Sequence, residues 1–293
     1  MPVQRQAHLL PDPSAEKFKY SNQPMKLYAI CLLKDEVDII EHSLNHALQW
    51  ADKVIVFDNG STDGSWELVN RIRTSKLVPY KREEVVYSDG LRADIFNAFK
   101  DELTDKDWWI VQDADEFYAE NPRHFLESTK GFFHYVSGKK VDFSFDFELI
   151  EALYFSGLFK EDLHLFDHHS PDAWSEPRLV KHRKLMRWTR ETVWPSRMGV
   201  DCRQQINIKH YPLRSPQQIK SRWHARQGLA NDPSTAHWRT ENWRSYYGPK
   251  TLTQMKFHEG EDVFKKVRIA NPYRQNCLVR TLKTILHGSG VFA

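Results

Sequence analysis

The stretch Trp108-Trp109-Ile110-Val111-Gln112-Asp113-Ala114-Asp115 decides how this chain is read. Its first four residues are aromatic and β-branched and follow the polar Thr104-Asp105-Lys106-Asp107, which predicts a short buried strand. Two carboxylates one residue apart, at the end of such a strand, are a poor way to build a core. They suit a hard divalent cation held on oxygen, with coordination positions left for phosphate. Capping of the following turn is the plainer use of the same residues.

Upstream, the same pattern repeats. Leu27 to Leu33 is a continuous apolar run of strand length ending in Lys34-Asp35-Glu36, after which Val37, Ile40, Leu44 and Leu48 share one helical face. Val54 to Phe57 predicts a second strand, ending in Asp58-Asn59-Gly60-Ser61-Thr62-Asp63-Gly64, with Asp63 as N-cap of a helix carrying Trp66, Leu68, Val69 and Ile72. Leu77 to Tyr80 and Val85 to Tyr87 supply a short third strand, and a helix with Leu91, Ile95, Phe96 and Phe99 precedes the strand ending at Asp113. Strands alternating with helices predict an α/β fold with a mainly parallel central sheet. Ligands in such sheets gather at the strands' carboxyl ends, and three polar clusters fall there. Beyond residue 140 the pattern is weaker, with strands expected over 141–147, 178–188 and 206–213 and helices from about residue 215.

Composition bounds the function. The 293 residues are 40% hydrophobic and 28% charged, ordinary for a globular protein with one main domain and an appendage. Lys and Arg number 42 against 39 acidic residues, a net charge of +3 that argues against nucleic acid as a partner. No apolar run approaches the roughly 18–20 residues that span a bilayer, and Met1 to Gln23 lacks the apolar centre of a signal peptide. Cys31, Cys202 and Cys277 are odd in number and widely spaced, which implies no disulfide or zinc framework. The expected address is cytoplasmic, peripheral to the inner membrane if the acceptor is a lipid. The expected organisation is a polar tail (1–24), a main domain (25–215) and a helical C-terminal extension (216–293).

At its three strand-end clusters the chain resembles the family 2 glycosyltransferases of the GT-A fold, in the branch with a "KNE" strand end, a "DNGSTDG" loop and a "DADEF" motif. Here these read Lys34-Asp35-Glu36, Asp58 to Gly64, and Asp113-Ala114-Asp115-Glu116-Phe117, and the likeness returns at His210 to Ser215. Asp35 departs from the family's usual Asn. The resemblance implies a GT-A type, Rossmann-like fold and a metal-dependent, inverting transfer from a nucleotide-diphosphate sugar, a UDP-sugar by preference, to a glycan or lipid-linked acceptor of cell-surface polysaccharide. It implies Mn2+ or Mg2+ on Asp115 and Asp113, with His210 completing the metal site. Lys34, Glu36, Asp58, Asn59, Ser61, Arg92, Asp113, Ala114 and Arg214 are then the donor-binding residues, with Lys220 and Arg222 further candidates for the diphosphate.

An inverting transfer also needs a base beside the anomeric carbon. Candidates are Glu176, ranked first, and Asp172, in a loop expected over 170–176 where Trp174 could stack on a sugar. Each is equally readable as a solvated loop acid, Arg92 as an exposed helix residue and His210 as a core histidine. His164, His168 and His169 with Asp167 lack a further ligand for zinc. The Trp-rich segment (Trp223, Trp238, Trp243) serves an acceptor or simple packing. A nucleotidyltransferase would carry a Gly-rich loop after the first strand, and none is present. The remaining alternative is a non-catalytic carbohydrate- or protein-binding module on the same scaffold.

Overall fold

A computed structural model describes residues 24–144, 166, 168–227, 242, 256–257 and 262–289. The tail before residue 24, His164, Asp167, Trp238, Trp243 and the end of the strand expected over 141–147 lie outside the described residues.

The first half alternates as expected: β1 (Leu27–Leu33), α1 (Ile40–Ala47), β2 (Lys53–Asp58), α2 (Ser65–Arg71), β3 (Leu77–Arg82), α3 (Arg92–Phe99) and β4 (Trp108–Val111). Val85 to Tyr87 lie outside any strand. Then follow β5 (Glu116–Tyr118), α4 (Pro122–Ser128), β6 (Tyr135–Ser144), β7 (His168–Lys181), β8 (Ile206–His210) and α5 (Pro216–Gln227). The last described elements are β9 (Lys256–Phe257), α6 (Val263–Lys266), β10 (Arg268–Ala270) and α7 (Cys277–Gly288). The region after residue 216 therefore contributes two short strands, both paired to β7, besides its helices.

One mixed sheet runs in the order β3-β2-β1-β4-β7-β6-β8-β5. The quartet β3-β2-β1-β4 is parallel throughout, and β7 joins β4 antiparallel. β1 is buried along its whole length because its residues serve two cores. Leu27, Ala29, Cys31 and Leu33 face α1 and α2 residues such as Leu44 and Val69, while Tyr28, Ile30 and Leu32 face Ile95 and Phe96 of α3. A strand covered on both faces by helices needs apolar residues at every position, hence the unbroken run. After β3 the chain returns to the other side of β1 to form β4, so a crevice opens between the carboxyl ends of β1 and β4, the topological switch point of such sheets.

Three further expectations need correction. Residues 170–176 form part of the long strand β7, and the strand expected over 178–188 ends at Lys181. The register shows how this strand accommodates its prolines. Val136 pairs with Leu179 and Ser137 with Pro177, so Arg178 is an extra residue in a bulge. Further on, Val141 pairs with Ala173 and Phe143 with His169, which places Pro171 in a second irregularity. Bulges are where a strand accommodates proline, which has no N–H to donate. Gly64, at φ 97°, occupies the N-cap position of α2 expected for Asp63. Asp63 instead accepts from Ser65 N at 2.9 Å and Val37 N at 2.9 Å, tying the turn to the start of α1.

Candidate functional site

A cavity of about 880 Å3 occupies the switch-point crevice. Its walls come from the loops after β1, β2 and β3, the start of α3, the β4–β5 turn, β6, β7, the end of β8 and the segment that follows it, and α5.

The loops after β1 and β2 are stitched together before they reach it. Asp58 Oδ1 accepts from the backbone N–H groups of Gly60 (2.9 Å) and Ser61 (2.8 Å), which curls the loop. Ser61 Oγ accepts from Asp35 N (2.9 Å), Asp35 Oδ1 from Thr62 N (2.6 Å) and Ser65 Oγ from Glu36 N (2.9 Å). Lys34 Nζ donates to Gly60 O at 2.6 Å. Asp35 takes a positive φ of 53°, a conformation that Asn and Asp tolerate better than most residues. Asp58 and Ser61 thus stand behind the cavity wall, whereas Lys34, Glu36 and Asn59 line it.

Asp113 and Asp115, on the turn between β4 and β5, meet different partners. Asp113 Oδ1 accepts from Arg92 Nη2 at 2.8 Å and its Oδ2 from Arg178 Nη1 at 2.9 Å. Burial pushes its pKa up, but Arg92, Arg178 and Lys140 outweigh that and hold the carboxyl far below the usual range. Asp115 Oδ2 accepts from Arg222 Nη2 at 2.9 Å and lies 3.4 Å from His210 Nε2. It too stays ionised despite burial, held by His210 and Arg222. Arg222 and Arg214 both bond Glu36, and Arg214 also grips Asp38 at 2.8 and 2.9 Å. Burial, the largest influence on Glu36, raises its pKa.

Strand register builds the rest. β8 lies between β5 and β6, and its last residue, His210, pairs with Glu116 on one side and Asp142 on the other. His210 Nδ1 bonds Asp142 Oδ1 at 2.7 Å, which leaves Nε2 aimed at Asp115. Burial disfavours the imidazolium, yet Asp115 and Asp142 together raise its pKa to about 9. The β7 bulge sends Arg178, 1% exposed, into the carboxylates, bonding Glu116 at 2.7 Å and Glu176 at 2.6 Å besides Asp113. Lys140 of β6 sits 3.2 Å from Glu116 and 3.5 Å from Glu176. Glu116 Oε2 is buried without a hydrogen-bond partner, and burial raises this acid's pKa.

Of the two candidate bases, Glu176 lines the cavity beside the half-exposed Trp174. Burial raises its pKa, but Arg178 and Lys140 prevail and keep it ionised. Asp172 lies elsewhere, exposed on β7 and held by Arg268 Nε at 2.7 Å and Nη2 at 2.9 Å. The structure brings together Lys34, Glu36, Asn59, Arg92, Asp113, Ala114, Asp115, Glu176 and His210 around the space. Arg214 is buried directly behind Glu36, and Lys220 is exposed on α5. Sequence reasoning missed Lys140, Asp142 and Arg178. Asp142 carried a signal, a lone acid between Val141 and Phe143 in an apolar alternation. Nothing local marked Arg178.

For a divalent cation, the donors fit in part. Asp142 holds His210 in the way carboxylates orient metal-ligating imidazoles. The 3.4 Å between His210 Nε2 and Asp115 Oδ2 suits two neighbouring ligands of one ion. Asp113 has only its remaining lone pairs to offer an ion, because each of its oxygens already accepts from a guanidinium group. Among the described residues no group of three or more His, Cys, Asp or Glu side chains converges as a metal cage, so most of the coordination sphere would come from ligand and water. Acidic side chains outnumber basic ones among the described lining residues, nine against five with His210 counted. Four of those acids are already paired with arginines behind the wall, Asp113, Glu116 and Glu176 with Arg178 and Glu36 with Arg214.

No described helix is long and apolar enough to cross a membrane. No family model matches the chain, and no curated protein matches it either. Among solved structures the chain is similar to S. aureus TarS 1–349 in complex with UDP, with 17% identity and a TM-score of 0.28. The match covers 40% of this chain and 35% of that one, so the chain spans about a third of that structure's length. A likeness of that extent decides neither fold family nor function.

Proposed function

We propose that the chain is a metal-dependent glycosyltransferase that moves a sugar from a nucleotide-diphosphate donor, a UDP-sugar by preference, to a hydroxyl of a glycan or lipid-linked acceptor, with inversion. The observation that supports it most is the convergence at one switch-point cavity of a paired acid and imidazole (Asp115, His210), cations (Lys34, Arg92, Lys140, Arg222) and an ionised carboxylate beside an indole (Glu176, Trp174). The cavity volume of about 880 Å3 lies within the roughly 300–1,000 Å3 of small-molecule sites.

Asp115 and His210 would hold Mn2+ or Mg2+; when bound, the ion supplies Lewis-acid charge opposite the departing diphosphate. His210 must shed its proton to ligate, which manganese favours more than magnesium does. Lys34, Arg92 and Arg222 face the phosphates, and Asn59 marks the nucleoside end. Asp113, fixed by two guanidinium groups, is left for the ribose or for water-mediated contact. Trp174 offers an indole face to the acceptor sugar. The acceptor oxygen attacks the anomeric carbon, its proton passes to Glu176, and the bond from that carbon to the β-phosphate oxygen breaks.

Thermal melts with UDP, GDP and their sugars, each with and without manganese, test the donor half of this reading. A manganese-dependent rise with one nucleotide is expected. Stabilisation by free glycans and by no nucleotide would replace the transferase with a carbohydrate-binding module.

A further inference from the structure

Helix α7 is mounted the reverse of the usual way. Its polar face packs on the protein body: Arg280 Nε donates to Asp201 O at 3.1 Å, Lys283 Nζ to Gly199 O at 3.2 Å, and the His287 ring lies 4.7 Å from that of His134. Its apolar face points outward, with Leu278 78%, Leu282 54% and Ile285 62% exposed at i, i+4 and i+7, flanked by Val279. A surface helix normally buries that stripe.

A second feature adjoins the helix. His287, in its last turn, lines a cavity of about 1060 Å3 on a different part of the surface from the switch-point cavity. Lys100, Lys181, Arg183, Lys184 and Arg187 line it too, against two acids, Asp101 and Asp105, and with exposed Phe132 and Leu185. An apolar helical stripe beside a cationic hollow is complementary to one kind of partner, a surface that is anionic at its face and apolar just beneath.

We propose that α7 and this basic cavity form a docking surface for an anionic lipid bilayer, with Leu278, Leu282 and Ile285 in the acyl boundary and the cavity lysines and arginines at the headgroups. A second copy of the chain fits less well. The stripe offers four side chains, whereas a stable interface draws on about 20–30 residues a side. This surface stands independently of the transferase reading, since none of its residues lines the switch-point cavity.

Co-sedimentation of the full chain with phosphatidylcholine vesicles, with and without phosphatidylglycerol, tests it. Binding is expected only with the anionic lipid and is weakened by salt. The double variant Leu282→Asp/Ile285→Asp should lose about tenfold or more in partitioning, with an unchanged thermal melt because both side chains are exposed. Lys184→Ala/Arg187→Ala should lose roughly 10- to 30-fold, and only on anionic vesicles. No binding to either vesicle, or binding that survives the Leu282→Asp/Ile285→Asp change, overturns the proposal. So does a concentration-dependent dimer abolished by that same change without vesicle binding, which would assign the stripe to a second copy.

Discussion

Replacing Arg178 by Met asks what the β7 bulge is for. In the native chain this guanidinium is 1% exposed and bonds Asp113, Glu116 and Glu176 at 2.9, 2.7 and 2.6 Å. Removing one partner of a buried ion pair costs about 3–5 kcal/mol. The lower end applies here, because Arg92 and Lys140 still face the cluster and Glu116, already pushed up by burial, can take a proton. Asp113 and Glu176 have depressed pKa values in the folded state. Their contribution is therefore present above the unfolded value of about 4 and is lost as pH falls through the folded one. Urea unfolding followed by Trp fluorescence should show a loss of about 3 kcal/mol at pH 7 that narrows steadily below about pH 4. Arg178→Lys, which keeps charge but not the fork, should lose less. A variant within about 1 kcal/mol of wild type at pH 7, or a gap as wide in acid as at neutrality, would mean that Arg178 does not hold these carboxylates in place.

Four other outcomes follow from the same geometry. In metal-free protein His210, raised to about 9, stabilises the fold fully below its unfolded value near 6.5 and loses that contribution as pH rises through 9, so the deficit of His210→Gln in thermal melts should be largest near pH 6 and fade by pH 10. Manganese affinity, read by titration calorimetry, should rise with pH over the same range and fall in His210→Gln, since the ion displaces the proton. Gly90→Ala would place a Cβ 1.9 Å from the Arg190 carbonyl oxygen, a backbone clash expected to cost at least about 1–3 kcal/mol in urea melts. Trp174→Ala, at a side chain 47% exposed, should leave stability within about 0.5 kcal/mol and nucleotide binding intact while lowering transfer to a sugar acceptor.

What the sequence disclosed follows from how each element is made. β1, β2 and β4 were legible because strands covered on both faces must be continuously apolar, and the polar clusters that end them mark the crevice. The register of β8 was beyond reach, since pairing with both β5 and β6 depends on contacts across some 70 to 90 residues. That register is what sets His210 between Glu116 and Asp142. β7 was misread for a local reason. Ser170, Pro171, Asp172 and Pro177 are turn formers, and only the bulges opposite β6 let them lie in a strand. The same bulge explains why Arg178 escaped notice, because strand alternation does not predict where a bulged side chain points. Asp58, implied by the resemblance as a donor contact, has Oδ1 on the backbone of its own loop, while its buried Oδ2 makes no hydrogen bond.

Release of nucleoside diphosphate from a nucleotide-sugar donor separates a transferase from a binding module. Wild type should release one nucleotide from its matching nucleotide-sugar, dependent on manganese and accelerated by an acceptor glycan. Glu176→Gln should bind that nucleotide as tightly yet release almost none, and Asp115→Asn should lose both binding and release. Tight manganese-dependent nucleotide binding with no release from any donor sugar, or release undiminished in Glu176→Gln and Asp115→Asn, would contradict the account.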